Sequence, residues 1–179
     1  MNILILNGND NPQKVDLNHR INLLETMLND SNHATKSIVL KDKKIRGCVG
    51  CFGCWVKTPG LCIIKDDMEY ILREIIKSDI ILFASNIEHF MVSPVIKSVI
   101  DRNIPLACAY MKVVNGKMCH HKRYNTNPKK LLLVENDSHL TDRDITSLQA
   151  MITGGEANTR CAYRITPDMK EVFNAIVSN

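Results

Sequence analysis

The chain has 179 residues, a formal net charge of +4 and 45% hydrophobic residues. This length fits one domain, and the hydrophobic content excludes a disordered or acidic-tail protein. Lysines and arginines are scattered with few aromatics between them, which argues against a nucleic-acid partner; the mild positive excess suits a small anionic ligand, although a solvated surface explains it more simply.

The first ten residues, MNILILNGND, have no basic stretch ahead of their short apolar run. They therefore predict a first strand and not a signal peptide. The longest apolar runs are too short to cross a bilayer, so no membrane partner is expected. Seven cysteines in a chain without a secretion signal indicate thiols or metal ligands, because disulfide frameworks belong to secreted proteins. We expect a cytoplasmic protein.

Apolar, β-branched runs alternate with helical patterns along the chain. Strands are predicted at 2–6, 34–40, 80–84, 130–134 and 160–165. Helices are predicted at 17–28 with Asp16 as its cap, from Asp66-Asp67 to about 78, from Ser93-Pro94 to about 105, at 141–153 before Gly154-Gly155, and at 167–177. Residues 41–65 read as a long loop, and residues 107–127 as an irregular excursion.

This alternation predicts right-handed crossovers and a doubly wound parallel sheet with helices on both faces. With five strands we expect the flavodoxin-like α/β order 2-1-3-4-5, and a ligand crevice where the first and third strands diverge. We expect residues 1–179 to form a single domain, with a cysteine-rich loop at 42–65.

Four cysteines define that loop: Cys48, Cys51, Cys54 and Cys62, in a Cys-x2-Cys-x2-Cys-x7-Cys arrangement. Spacings of two place successive thiolates on one side of a tight turn, and Gly50 and Gly53 let the backbone curl. The pattern is compatible with a [4Fe–4S] cluster. Structural or redox thiols are the reading favoured over a cluster, and zinc is less favoured because its sites usually split into separated pairs.

From residue 45 to 102 the sequence resembles the NADPH-dependent FMN reductase family, and within it the iron–sulfur flavoproteins. The matching text is IRGCVGCFGCWVKTPGLCIIKDDMEYILREIIKSDIILFAS followed by VSPVIKSVIDR. The resemblance implies a flavodoxin-like fold, bound FMN, and homodimers or homotetramers. In iron–sulfur flavoproteins the compact cysteines hold a [4Fe–4S] cluster that exchanges electrons with the flavin. Other members resemble this loop without carrying a cluster.

The resemblance places the flavin beside three loops that depart from the family pattern together. After the first strand, Asn9, Asn11 and Lys14 remain as phosphate donors, whereas Asp10 and Asp16 would repel a phosphate. After the third and fourth strands, the family's flavin-facing loops are replaced by other residues. These are Asn86, Ile87, Glu88 and His89, then Asn136 and Asp137 within 135–139. The departures predict weakened FMN binding or a changed ligand.

The leading hypothesis is an enzyme, an FMN-dependent NAD(P)H oxidoreductase or electron-transfer flavoprotein with or without a [4Fe–4S] cluster. Hydride would pass from NAD(P)H to flavin N5, and the protein would supply position and electrostatics instead of a catalytic base. The electron acceptor is not identified by the sequence. The alternative is a flavodoxin-like protein that has lost FMN and acts as a binding or assembly partner. The altered phosphate loop favours that second reading.

Overall fold

The computed structural model describes residues 1–135, 139–153 and 161–178. Its strands are β1 (Asn2–Asn7), β2 (Ala34–Val39), β3 (Ile80–Ser85), β4 (Ile87–Glu88), β5 (Met91–Val92), β6 (Ala107–Val114), β7 (Lys117–Lys122), β8 (Lys129–Val134) and β9 (Ala162–Arg164). Its α-helices are α1 (Val15–Asp30), α2 (Gly53–Val56), α3 (Met68–Lys77), α4 (Pro94–Asp101), α5 (Asp142–Thr153) and α6 (Lys170–Val177). None of these helices is long and apolar enough to span a membrane.

A parallel five-stranded sheet in the order β2-β1-β3-β8-β9 forms the centre of the fold. Ile3 of β1 lies opposite Ile80 of β3, and Ile80 in turn lies opposite Lys129 of β8. In chain order of the sheet strands this arrangement is 2-1-3-4-5, so the predicted flavodoxin-like architecture is confirmed. The order in which the chain adds strands to the sheet reverses between β1 and β3, and sheets of this kind place their ligand crevice at that point.

Successive residues of the central strands face opposite sides of the sheet, and each side has its own apolar core. Leu82 of β3 packs with α1 and α6, through residues such as Leu24 and Val172. Its neighbour Phe83 packs with α3, α4 and α5, through residues such as Ile71. Both faces of the sheet are therefore covered by helices, which explains why its strands read as continuous apolar runs.

Several predicted boundaries differ from the structure. Helix α1 begins at Val15, so Asp16 lies in its first turn and pairs with Arg20 (3.1 Å) instead of capping it. Ser93 precedes α4 as predicted, although its hydroxyl makes no capping bond. That helix ends at Asp101, before a short 3-10 turn over Ile104–Leu106. The stop expected at Gly154-Gly155 lies outside the described residues.

The stretch predicted as an irregular excursion is an antiparallel hairpin of β6 and β7. Asn115 and Gly116 make its turn with positive φ angles of 49° and 76°, as a two-residue type I′ hairpin turn requires. A second, smaller hairpin joins β4 to β5 through His89 and Phe90, which also have positive φ. The Asn-Gly pair was a readable signal for the first hairpin, whereas His-Phe gives none for the second.

Candidate functional site

The loops after β1, β3 and β8 meet at the carboxyl edge of the sheet, because these three strands are parallel neighbours. The first of these loops starts at Gly8, whose N–H donates to Ala84 O (2.8 Å). A Cβ at Gly8 would lie 2.2 Å from Ile96 Cγ1 and 2.8 Å from Ser93 Oγ, so only glycine fits against the start of α4. This close approach packs the start of the first loop against α4.

Three asparagine side chains, which we call the asparagine ladder (Asn7, Asn9 and Asn11), bind the backbone of the first loop. Asn9 N–H donates to Asn7 Oδ1 (3.0 Å) and Asn11 N–H to Asn9 Oδ1 (3.2 Å). Gln13 N–H donates to Asn11 Oδ1 (2.9 Å). Each is the local side-chain-to-backbone turn that asparagine favours, repeated at every second residue.

The other amide groups of this loop are also bound within the protein. Asp10 N–H donates to Asn86 Oδ1 (3.4 Å), Lys14 N–H donates to Asn11 O (3.1 Å), and position 12 is a proline without an N–H. The buried Asn9 side chain donates through Nδ2 to Lys14 O (2.7 Å). Asn9 and Asn11, predicted as phosphate donors, therefore serve the loop itself in this structure.

A buried carboxylate, Glu135, closes the crevice from the third loop. Its Oε2 pairs with Lys14 Nζ (2.8 Å), and its Oε1 accepts a hydrogen bond from Ile87 N–H (3.3 Å). The Glu135 side chain is 7% exposed, whereas that of Lys14 is 43% exposed. Sequence reasoning named Lys14 and Ile87 as site residues but not Glu135; an acidic residue directly after the apolar run at 131–134 was the available signal.

The second loop contributes both buried and exposed residues. Asn86 is fully buried, and besides Asp10 it contacts Glu88, whose Oε1 accepts from Asn86 Nδ2 (3.3 Å). Glu88 and His89 are exposed in the β4–β5 hairpin. The structure thus brings Asn86 and Ile87 into contact with the other loops, while Glu88 and His89 lie toward solvent. Asn136 and Asp137, predicted in the third loop, lie outside the described residues.

The crevice contains the kinds of group that bind a flavin phosphate, namely a lysine, backbone amides and a helix amino end. In this structure the lysine and the loop amides are bound to other groups of the protein. Lys14 supplies a cation, and it directly precedes α1, whose amino end is not capped by a side chain. Such an end favours anions. The amides of the preceding loop are already bonded and Lys14 is paired with Glu135. A phosphate that binds Lys14 therefore competes with Glu135.

The cysteine loop lies apart from these contacts, between β2 and α3. Cys48 and Cys51 are exposed, Cys62 is half-buried and Cys54 is buried. Burial, and then the nearby Cys62, raises the pKa of the Cys54 thiol, and Cys48 and Cys51 act in the same direction. Gly50 has a φ of 65°, so the predicted curl is present there. Among the described residues, however, no three Cys, His, Asp or Glu side chains are arranged to share a metal ion.

A buried ion pair fastens this loop to the core. Arg102, from the end of α4, has a side chain only 1% exposed and binds Asp66 Oδ2 through Nη1. The same guanidinium donates to Arg46 O (3.1 Å) and Ile64 O (3.4 Å), on either side of the cysteines. Burial lowers the pKa of Arg102, but its contacts with Asp66 and Cys62 outweigh burial and raise it. Asp66 and Arg102 were not foreseen as partners.

Trp55 joins the cysteine loop to the β6–β7 hairpin. Its indole Nε1–H donates to both Ile104 O (3.1 Å) and Ala107 O (3.0 Å). Its ring lies 4.9 Å from the ring of His120 and 5.3 Å from that of Phe52, centroid to centroid. Because the contacts with Ile104, Ala107 and His120 join residues 49 or more positions apart, sequence periodicity does not reveal them.

Comparisons with known proteins agree with this architecture. The family model for NADPH-dependent FMN reductases matches residues 1–123. An iron-sulfur flavoprotein of Archaeoglobus fulgidus is 33% identical over 78 residues, 44% of this chain and 34% of that protein. An iron-sulfur flavoprotein of Methanocaldococcus jannaschii is 36% identical over 76 residues, 42% of this chain and 38% of that protein. The matched segments thus span little more than a third of these relatives.

Among solved structures, an azoreductase from Bacillus anthracis superposes with a TM-score of 0.63 at 13% identity, covering 98% of this chain and 91% of that one. At this identity the likeness concerns the fold alone. The family model is more informative, because its match covers more than half of the chain and includes β1, the loop after it, the cysteine loop and β3. The chain therefore belongs to the NADPH-dependent FMN reductase family.

Proposed function

We propose that this chain is an FMN-dependent NAD(P)H oxidoreductase or electron-transfer flavoprotein. The observation that carries the proposal is the family match over residues 1–123, joined to a crevice at the carboxyl edge of β1, β3 and β8. FMN, when bound, supplies the hydride-accepting ring. The protein's part is to hold the ring and the phosphate, with Lys14 as the cation and Asn86 and Ile87 beside it.

An anaerobic ultraviolet–visible spectrum of the purified protein tests the proposal. We expect the absorption bands of bound flavin, either as purified or after incubation with FMN and removal of the excess. Addition of NADH or NADPH is then expected to bleach those bands, and the faster nucleotide identifies the reductant. Protein that stays colourless after incubation with FMN contradicts the proposal.

We propose a [4Fe–4S] cluster at Cys48, Cys51, Cys54 and Cys62 as a separable addition. The cysteine spacing and the similarity to two iron-sulfur flavoproteins support it. The positions of the thiols do not support it, because no three Cys, His, Asp or Glu side chains among the described residues are placed to bind one metal ion. The same anaerobic spectrum tests it through a broad absorption at the violet end of the visible range, together with iron analysis. Iron-free protein purified without oxygen removes the cluster and leaves the flavin proposal standing.

The second candidate is a flavodoxin-like protein without FMN that acts as a binding or assembly partner. The asparagine ladder and the Lys14–Glu135 pair favour it, because a loop whose donors are satisfied needs no ligand. Tight, stoichiometric FMN binding that is lost in a Lys14→Gln variant rejects this candidate. Colourless protein with unchanged stability on adding FMN supports it.

We also propose that the chain forms homodimers or homotetramers, as expected from its family. Both strands of the β6–β7 hairpin are almost wholly exposed, including Val113 and Met118, which are 70% and 69% exposed and directly paired. A two-stranded ribbon is marginal by itself in water, and exposed apolar patches often mark contact surfaces. Light scattering measures the mass; a value equal to the 20.3 kDa chain contradicts the proposal.

A further inference from the structure

Both carboxylate oxygens of Glu135 are bound by other groups of the crevice. One oxygen pairs with Lys14 Nζ (2.8 Å) and the other accepts from Ile87 N–H (3.3 Å). The side chain is 7% exposed and stands at the end of β8, whose four last residues are fully buried. The carboxylate is therefore a fixed anion and not a mobile surface group.

We propose that Glu135 is a specificity-determining residue that competes, from within the protein, with the flavin phosphate for Lys14. An unphosphorylated flavin leaves the Lys14–Glu135 pair intact, whereas a phosphate monoester has to share the Lys14 ammonium with the carboxylate or displace it. Glu135 therefore narrows the preference for FMN over riboflavin. The preference for FMN over riboflavin rests on the proposed function. The competition between Glu135 and a phosphate anion for Lys14 rests on the crevice alone.

The asparagine ladder makes this competition decisive. In most phosphate-binding loops of this kind the backbone amides carry much of the anion's hydrogen bonding. Here the amides of residues 9, 11 and 13 are bonded to asparagine oxygens, and that of residue 10 to Asn86. With these donors engaged, Lys14 is the charged group on which an incoming phosphate depends. The partner of Lys14 then sets the affinity.

Charge adds to the same effect. A phosphate drawn to Lys14 approaches Glu135 at close range, and Asp10 and Asp16 flank Lys14 in the sequence. Like charges at such distances oppose binding, most strongly where one of them is buried. Riboflavin carries no charge and meets none of this repulsion. The discrimination therefore falls on the phosphate and leaves the ring unaffected.

Glu135→Gln isolates the charge. Glutamine has nearly the same shape, its Oε1 can still accept from Ile87 N–H, and it releases Lys14 from its ion pair. The matched control is Glu74→Gln, which removes the same charge from another largely buried carboxylate, 12% exposed and paired with Lys36 (2.6 Å) between α3 and β2. That pair lies on the opposite side of β1 from β8, away from the crevice loops.

The first measurement is the dissociation constant of FMN and of riboflavin for the wild-type chain and both variants. We expect Glu135→Gln to bind FMN about tenfold more tightly, the scale on which close charge pairs act at binding sites. Riboflavin affinity is expected to stay unchanged, and Glu74→Gln to match wild type for both ligands. An unchanged ratio of FMN to riboflavin affinity in Glu135→Gln overturns the inference.

The second measurement uses inorganic phosphate as the probe and needs no flavin. At constant ionic strength, phosphate is expected to raise the unfolding temperature of Glu135→Gln more than that of wild type or Glu74→Gln. If this occurs while neither flavin binds, the proposed function fails and with it the preference for FMN over riboflavin, but the competition between Glu135 and a phosphate anion for Lys14 stands. If both flavins bind with the wild-type ratio and phosphate has no added effect, the inference fails and the proposed function stands.

Lys14→Gln provides a test that does not require Glu135→Gln to fold. Without the cation, FMN affinity is expected to fall to that of riboflavin or below it, because the phosphate loses its charged partner and still meets the Glu135 carboxylate. Riboflavin affinity is expected to remain as in wild type. FMN binding that is unaffected by Lys14→Gln overturns the inference.

Discussion

Arg102 and Asp66 carry opposite charges into the interior beneath the cysteine loop, with side chains 1% and 5% exposed. Burying two charges is costly unless each is paired and hydrogen-bonded. Asp66 meets this condition, since it also accepts from Arg46 N–H (3.0 Å) and Met68 N–H (3.1 Å). The pair therefore fixes the two ends of the cysteine loop and the start of α3 with one set of contacts.

Asp66→Asn is expected to lower the free energy of unfolding by about 3 kcal/mol at neutral pH, because it leaves the Arg102 charge buried without its partner. Burial raises the pKa of Asp66, but the bonds from Arg102, Arg46 and Met68 outweigh burial and hold that pKa below the ordinary value of an aspartate. The contribution of Asp66 is therefore complete above the pKa of the unfolded aspartate and is lost as the pH falls through the lower folded value. Urea titrations across this range are expected to show a shallower acid slope in the variant.

Asp101→Asn is the control for this change. Asp101 also pairs with a cation, Lys97 (2.6 Å), but the two side chains are 44% and 39% exposed. Exposed pairs contribute about 0–1 kcal/mol, so this variant is expected to resemble wild type. Equal losses in both variants contradict a special role for the buried pair.

Gly8→Ala tests how closely the loop after β1 packs against α4. The added methyl would lie 2.2 Å from Ile96 Cγ1, a side chain that is itself fully buried, so α4 and the first loop have to separate. Overpacking of this kind costs about 1–3 kcal/mol. Gly47→Ala is the matched control, since nothing lies within 4 Å of the Cβ that it would add. Thermal unfolding is expected to distinguish the two variants, and an unaffected Gly8→Ala contradicts the close packing.

At the scale of elements, the β6–β7 hairpin shows which secondary structure the sequence patterns predict and which they do not. Its strands are exposed on both faces, so they lack the alternation of apolar and polar residues that marks a half-buried strand. Only the Asn115-Gly116 turn signalled it. Helix α3, by contrast, has a strongly amphipathic pattern and was predicted within two residues at each end. Elements that face a core are readable from sequence, and those that face solvent are not.

Trp55→Phe tests how this hairpin is held. The variant keeps an aromatic ring beside His120 but loses the indole N–H that binds Ile104 O and Ala107 O. Since a lost hydrogen bond costs about 1 kcal/mol, amide exchange within β6 and β7 is expected to accelerate about fivefold, with little change in global stability. Phe52→Leu is the control, because Phe52 contacts Trp55 without donating to the hairpin. Equal exchange in all three proteins contradicts the anchoring role.

At the scale of the whole molecule, the sheet order and both helical layers were predictable because they follow from buried apolar runs. The candidate site was predictable only in position. The sequence showed that the three loops are altered together, but it did not show which residues connect them: Asp10–Asn86, Lys14–Glu135 and Ile87–Glu135 join the loops in one network. Contacts between residues so far apart in the chain leave no local signal. The departures are therefore one coordinated change, which sequence spacing alone does not reveal.

The last prediction concerns whether the cysteine loop and the sheet unfold together as one domain. The chain has a single tryptophan, Trp55, at the junction of the cysteine loop and the hairpin, so its fluorescence reports on that region alone. Far-ultraviolet circular dichroism reports on the sheet and its helices. Because Arg102 binds Arg46, Ile64 and Asp66 from the end of α4, we expect the two signals to change at the same urea concentration in wild type.

In Asp66→Asn that connection is weakened at its charged centre. The fluorescence transition is then expected to move to lower urea than the circular dichroism transition, since the loop loses its anchor while both apolar cores remain. Asp101→Asn is expected to keep the two transitions together. Separate transitions already in wild type contradict a single cooperative unit, and coincident transitions in Asp66→Asn mean that contacts such as Trp55 with Ala107 hold the loop without the ion pair.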